Sequence, residues 1–186
     1  MSVQTVDFII PCYNEAGNVV ALHEAFCDAF ADSDVNWHLI MVDDGSRDNT
    51  FDELKNLAQA DSRVEVLQFS RNFGKEAAVL AGLETSRGDF VCIIDADLQQ
   101  PPAIARQMLE RLIANDEIDC VAAFQENRRE GLAVRTLKKM FYRVFARAAR
   151  TDVIQDASDF RVFRAPVREA ILEVGEYHRF SKGIFA

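Results

Sequence analysis

The chain has 186 residues, 49% of them apolar and 27% charged, which suits one folded domain with a sizeable core and excludes a disordered segment. Its formal net charge of −9 argues against a general nucleic-acid binder. Residues 1–7 show no basic region leading into an apolar stretch, and no apolar run approaches the roughly 18 residues needed to cross a bilayer, so neither a signal peptide nor a membrane span is read here.

Strand-like and helix-like segments alternate along the chain. Residues 6–10 read as an apolar strand that stops at Pro11. Residues 15–30 repeat apolar positions at helical spacing through Val19, Leu22, Phe26 and Phe30, with Asn14 as the expected cap. Residues 38–42 form a second strand, ended by Asp43-Asp44-Gly45-Ser46, and a helix opens at Asp48-Asn49-Thr50. A third strand covers residues 64–69, and residues 74–86 read as a helix with small residues on one face. Arg87-Gly88-Asp89 turns into a fourth strand over residues 90–94. Pro101-Pro102 starts a helix running to about Ala114, proline being tolerated in a first turn. A fifth strand covers residues 118–123, after which the alternation breaks. Residues 132–149 read as a helix, 160–163 as a short strand and 166–174 as a final helix.

Strands joined by helices of this length predict an α/β fold, a mostly parallel sheet with helices on both faces. Ligands of such sheets bind at the carboxyl ends of the strands. The loops after the first, second and fourth strands carry Tyr13-Asn14-Glu15, Asp43-Asp44-Gly45-Ser46 and Asp95-Ala96-Asp97. All three polar clusters therefore fall on one rim.

Asp95 and Asp97 carry the most chemistry. Two carboxylates one residue apart at the end of a buried strand need a positive partner, and alternation points both to one side. They offer the oxygen ligands that Mg²⁺ or Mn²⁺ prefers, and such a metal grips a nucleotide's diphosphate. Gln99 is placed to add a third oxygen. The competing reading is a turn of solvated acids in which Asp97 caps a helix. An acid from Asp43-Asp44 suits the N–H edge of a uracil or guanine base, or else belongs to a plain strand-to-helix turn. Tyr13 suits stacking on a base or packing on the sheet edge, and Glu15 reads equally as a favourable first-turn acid. Arg71-Asn72-Phe73-Gly74-Lys75 precedes a helix N-terminus, where backbone N–H groups and Lys75 suit an anion. The four cysteines (Cys12, Cys27, Cys92 and Cys120) form no Cys-x-x-Cys pair, and no histidine is read at ligand spacing to them. They are expected to be reduced structural thiols.

Ile9-Ile10-Pro11-Cys12-Tyr13-Asn14-Glu15, Val42-Asp43-Asp44-Gly45-Ser46-Arg47-Asp48-Asn49-Thr50, Arg71-Asn72-Phe73-Gly74-Lys75 and Asp95-Ala96-Asp97-Leu98-Gln99-Gln100-Pro101-Pro102 together resemble the family-2 inverting glycosyltransferases. The last string narrows the resemblance to the polyprenyl-phosphate branch, which holds dolichyl-phosphate mannosyltransferases and bactoprenol glucosyltransferases. The resemblance implies a single GT-A catalytic domain over residues 1–186, cut short of C-terminal membrane helices. It implies transfer of a hexose from UDP or GDP to a polyprenyl phosphate, with Mg²⁺ or Mn²⁺ as cofactor. By the same resemblance Pro11, Tyr13, Glu15, Asp43 and Asp44 frame the nucleotide, and Asp95, Asp97 and Gln99 hold metal and diphosphate. Arg128 meets the phosphates, and Arg161 meets the acceptor phosphate. Asp156 and Asp159 precede the Phe160-Arg161 pair, with Asp156 as the expected base or orienting acid. Ser158, and the absence of glycine from Phe124-Gln125-Glu126-Asn127, depart from the family's pattern on the acceptor side.

The run Arg179-Phe180-Ser181-Lys182-Gly183-Ile184-Phe185 resembles the bacterial glucosyltransferases, so UDP-glucose is the expected donor and undecaprenyl phosphate the acceptor. GDP-mannose and a UDP-aminosugar are the alternatives, and an inactive nucleotide-sugar-binding module is a second. A receiver-like signalling domain is disfavoured because Phe69-Ser70-Arg71 supplies no acid after the third strand. Eight cations between Arg128 and Arg150 form a basic island that suits an anionic membrane surface. The expected place is the cytoplasmic face of the inner membrane, with this piece itself soluble. A homo-oligomer is compatible with the sequence.

Overall fold

The structure is a computed structural model and describes residues 3–124 and 157–173. Its elements in chain order are β1 (Thr5–Cys12), α1 (Val19–Ala29), β2 (Asn36–Asp43), α2 (Thr50–Ala60), β3 (Val64–Gln68), α3 (Lys75–Thr85), β4 (Phe90–Ile93), α4 (Pro102–Ile113), β5 (Cys120–Phe124), β6 (Ala157–Arg164) and α5 (Ala165–Glu173). The helix expected over residues 132–149, the basic island, Arg128 and Asp156 lie outside the described residues. Among the described residues no helix is long and apolar enough to cross a membrane.

One six-stranded sheet runs in the order β3-β2-β1-β4-β6-β5. β1, β2, β3 and β4 pair in parallel, so their carboxyl ends share one rim. β6 enters between β4 and β5, antiparallel to both. The mostly parallel sheet expected from the sequence is therefore present, with one reversed strand.

Period-two alternation sorts the strand residues between two layers. Val6, Phe8 and Ile10 of β1 pack with Leu22 and Phe26 of α1, Leu54 of α2 and Leu109 of α4. Phe8 meets Phe26 edge-on at 4.6 Å between ring centroids, and Trp37 stacks beyond it at 6.0 Å. On the other face Ile9 packs with Val79 and Leu83 of α3 and Ile171 of α5, while Ile40 and Val42 meet Ala78. Each fully buried phenylalanine or leucine here is worth about 1.5–3 kcal/mol of hydrophobic stabilisation.

β1 does not stop at Pro11, as expected, but continues to Cys12. The Ile9 carbonyl accepts from Ile94 on the β4 side, and the Cys12 carbonyl accepts from Asp44 on the β2 side. By alternation the missing N–H of Pro11 faces the β4 side, beyond the last residue that β4 pairs with it, so no ladder bond is lost. At the opposite end of β1, the buried Asp7 carboxylate accepts from the backbone N–H groups of Arg87 and Gly88 and fixes the turn into β4.

α3 lies close against β1 because Gly82 has no side chain. A Cβ built there comes within 2.3 Å of Ile9 Cγ2. Gly82→Ala should lower stability by about 1–3 kcal/mol through overpacking, despite the better helix propensity of alanine. Urea denaturation at constant m-value measures it.

Candidate functional site

A cavity of about 310 Å³ opens at the carboxyl ends of the parallel strands. Pro11, Cys12, Tyr13 and Glu15 line it from the end of β1, and Asp44 from the end of β2. Asn72, Gly74 and Lys75 reach it from the entry to α3, and Asp95, Ala96 and Asp97 from the end of β4. The structure thus brings together the three polar loops that the sequence placed on one rim, and adds the segment before α3.

The loops are bonded to one another through backbone groups. Asn14 takes a left-handed conformation with φ 56°. Its N–H donates to Ser46 Oγ at 2.9 Å, and its side-chain oxygen accepts from the Arg47 N–H at 2.9 Å. It therefore bridges the β1 and β2 loops, and is not the expected helix cap. α1 starts later, at Val19 after Asn18. The Glu15 N–H donates to Thr50 Oγ1, and its carboxylate accepts from Asn18 Nδ2 at 2.6 Å.

Asp43 and Asp44 have separate positions. Asp43 shares the phase of Leu39 and Met41, both in the α1–α2–α4 layer, and is wholly buried. Its Oδ1 accepts from the Ser46 N–H, while Oδ2 is buried with no hydrogen-bond partner among the described residues. Asp44 is among the residues that line the cavity and Asp43 is not. The Asp44 carboxylate accepts from the N–H groups of Phe73 at 2.7 Å and Gly74 at 2.9 Å. That contact locks the loop before α3 against the end of β2. Cys12 lies beside these acids. Burial first, then the charges of Glu15 and Asp43, push its thiol far above the ordinary value. It stays protonated, donating to the Ile10 carbonyl.

β4 ends at Ile93, and a turn carries Asp95 and Asp97 to the cavity with the buried Ala96 between them. Lys75 Nζ lies 2.5 Å from Asp95 Oδ1. Gln100 clasps Asp95 from the other side. Its Oε1 accepts from the Asp95 N–H at 3.1 Å, and its Nε2 donates to Asp95 Oδ2 at 3.3 Å. Gln99, expected as the third ligand, is exposed and does not line the cavity, and its N–H donates to Asp97 Oδ1 at 3.0 Å. Leu98 at φ 61° breaks the alternation, so the next residue but one turns back to Asp95. A leucine carries no local signal of a positive φ, so nothing in the sequence pointed to Gln100 as the partner of Asp95.

On the acceptor side, Arg161 is buried in the sheet, in register with Ile93 of β4 and Ala122 of β5, and is not among the cavity residues. Its expected contact with an acceptor phosphate does not follow from that position. Asp159 lies in β6 two positions before Arg161, toward the end of β6 nearest the Asp95 loop.

One ligand-type cluster escaped the sequence reading. His23 and Cys27, four residues apart on α1, come within 4.8 Å of each other and of Asp61. Arg63 already serves as the cation there. It donates to Asp61 and to Cys27 Sγ, and with His23 it holds the Asp61 carboxyl well below the usual range.

The family model for glycosyl transferase family 2 matches residues 7–172. The chain belongs to that family. It is 38% identical over 181 residues to the putative glycosyltransferase CsbB of Bacillus subtilis, covering 97% of this chain and 54% of that protein. It is 30% identical over 182 residues to the bactoprenol glucosyl transferase of Shigella phage SfX, covering 97% of this chain and 59% of that one. The chain thus spans little more than half the length of these relatives. Among solved structures, the mannosyltransferase PcManGT of Pyrobaculum calidifontis, in complex with GDP-Man and Mn²⁺, superposes with a TM-score of 0.65 at 19% identity, covering 92% of this chain and 47% of that one. The fold is of the GT-A type, as that resemblance implied.

Gly45, at φ +66°, is pressed against the loop that Asp44 holds, and a Cβ there meets the Arg71 carbonyl carbon at 2.3 Å. Gly45→Ala should displace residues 71–74 and lower stability by about 1–3 kcal/mol. A lowered urea midpoint, together with faster amide exchange at Phe73 and Gly74, is the expected readout.

Proposed function

We propose that the chain is the donor-binding, catalytic part of an inverting glycosyltransferase that moves a hexose, glucose from UDP-glucose, onto a polyprenyl phosphate. The observation that carries this reading is the meeting of Asp44, Lys75, Asp95 and Asp97 in one cavity at the carboxyl ends of parallel strands. The bactoprenol relative supports the lipid acceptor and glucose.

The donor set fits a hard divalent cation. Asp95 and Asp97 offer anionic oxygens on an open rim, and Lys75 already places a positive charge against one of them. When bound, Mg²⁺ or Mn²⁺ supplies Lewis-acid neutralisation of the leaving diphosphate. The chain's own residues do the rest. Tyr13, partly exposed at the cavity mouth, stacks on the base, with Pro11 beside it. By taking the Phe73 and Gly74 N–H groups, Asp44 positions the start of α3, whose N-terminal end and Lys75 face the phosphates. Gln100 keeps the Asp95 carboxylate in place.

The acceptor phosphate is an anion near neutral pH, so its oxygen needs little deprotonation. It attacks the anomeric carbon in line. The new C–O bond forms as the bond to the diphosphate breaks, the electron pair leaves with the nucleoside diphosphate, and the centre inverts. Asp156 is assigned as the orienting acid, with Asp159 beside it in sequence and Arg128 as a phosphate contact. The basic residues between Arg128 and Arg150 are assigned to an anionic membrane surface at the cytoplasmic face.

GDP-mannose is the second donor reading, favoured by the structural neighbour in complex with GDP-Man and Mn²⁺. Transfer to detergent-dispersed undecaprenyl phosphate, assayed with UDP-glucose, UDP-N-acetylglucosamine and GDP-mannose in parallel, separates the donors. Asp97→Ala should lower turnover by at least about 100-fold, the size of effect seen when a residue stabilising developing charge is removed. Undiminished transfer by that variant removes the acid pair from the reaction.

A further inference from the structure

Lys75 is placed against the electrostatics of its own helix. It is the first residue of α3, where the helix end carries partial positive charge and a lysine is disfavoured. Glu76 in the same turn is the residue type that position favours. The Lys75 ammonium reaches across to Asp95 Oδ1, from a helix packed on β1 to the loop after β4. Both side chains are partly solvated, at 39% and 30% exposure, so the pair is weak enough to separate. Asp95 does not depend on it for position, because Gln100 bonds both its N–H and its Oδ2. The lysine is on a flexible four-carbon stem, and the cavity it lines lies at the N-terminal end of α3, where the helix's partial positive charge favours an anion.

We propose that Lys75 is an exchangeable counter-ion. It occupies Asp95 while no divalent cation is bound. When a dication takes that carboxylate, like-charge repulsion drives the ammonium off and it turns to the diphosphate oxygens of the nucleotide in the same cavity. This rests on the reading of Asp95 and Asp97 as the metal-holding acids. No covalent bond changes; two ion pairs exchange partners. A dication arriving alone must displace the ammonium, whereas one arriving with a diphosphate offers it a new anion. Metal and nucleotide therefore bind with positive coupling, and the coupling is reciprocal.

The test is a titration of the whole chain with Mn²⁺, free Mn²⁺ being followed by electron paramagnetic resonance, with and without UDP. Wild type, Lys75→Met and Lys75→Arg are compared, and thermal unfolding confirms that each is folded. Removing a cation from the start of α3 should leave the melting temperature equal or slightly higher. Lys75→Met should bind Mn²⁺ alone on the order of two- to fivefold tighter, the span of an exposed ion pair. Its gain in Mn²⁺ affinity on adding UDP should shrink by at least the same factor, while Lys75→Arg keeps a wild-type gain. Unchanged or weaker Mn²⁺ binding by folded Lys75→Met, with the UDP gain intact, overturns the exchange and leaves the acid-pair reading standing. Absence of Mn²⁺ binding in every protein, or binding that Asp97→Ala does not weaken, sinks the acid-pair reading and the exchange with it.

Discussion

The carboxylates of Glu15, Asp44, Asp95 and Asp97 share one cavity at the ends of three parallel strands. Concentrated negative charge at low local dielectric is costly unless each group finds a donor or a cation. Much of the rim's architecture answers that requirement. Asp44 takes two backbone N–H groups, Glu15 takes an asparagine amide, and Asp95 takes a lysine and a glutamine. The Asn18 and Gln100 contacts stay within one loop, whereas those of Asp44 and Asp95 reach residues 73–75, so satisfying these two charges also ties the loops after β2 and β4 to the start of α3. Asp97 accepts from the neighbouring Gln99 N–H and is otherwise open to solvent, which leaves it the most available of the four.

The same requirement accounts for the clustering of backbone irregularities here. Asn14, Gly45, Gly74 and Leu98 hold positive φ angles, and all lie in the loops around the cavity. In each case a turn must reverse sharply enough to bring a polar group back to the rim. Gly45 and Gly74 do so at little steric cost. Asn14 and Leu98 do so as ordinary residues held by neighbours, Asn14 through Ser46 and Arg47. The core beneath is regular by comparison. Its two layers follow strand alternation, and the aromatic group of Phe8, Phe26, Phe30 and Trp37 fills the α1 side.

Much of this was legible in the chain. Apolar strand runs alternating with helical periodicity specified a parallel sheet, and a parallel sheet by itself puts alternate loops on one rim. Asp95 and Asp97 were readable because two acids directly after a buried strand repel each other unless a cation sits between them. The separate positions of the Asp43-Asp44 pair were also legible: Asp43 continues the phase of Leu39 and Met41, so alternation turns it into the layer beneath α1 and α2, while Asp44 emerges at the cavity. Residues 160–163 were read as a strand, but nothing local indicated that β6 would insert between β4 and β5, because that pairing joins segments distant in sequence.

The sequence alone determined the chemical repertoire: which acids, amides and cations flank the strands, and the helix-and-strand order that gathers them. Those depend on residue type and on periodicities of two and about 3.6, which are local properties. Only the tertiary structure decided which of these residues meet across the rim. Gln100 faces Asp95 across Leu98 at its positive φ, and Lys75 reaches Asp95 from the start of α3, a helix that Gly82 lets lie close on β1. Such choices depend on the direction of a side chain relative to segments far away along the chain, and that direction exists only once the layers have packed.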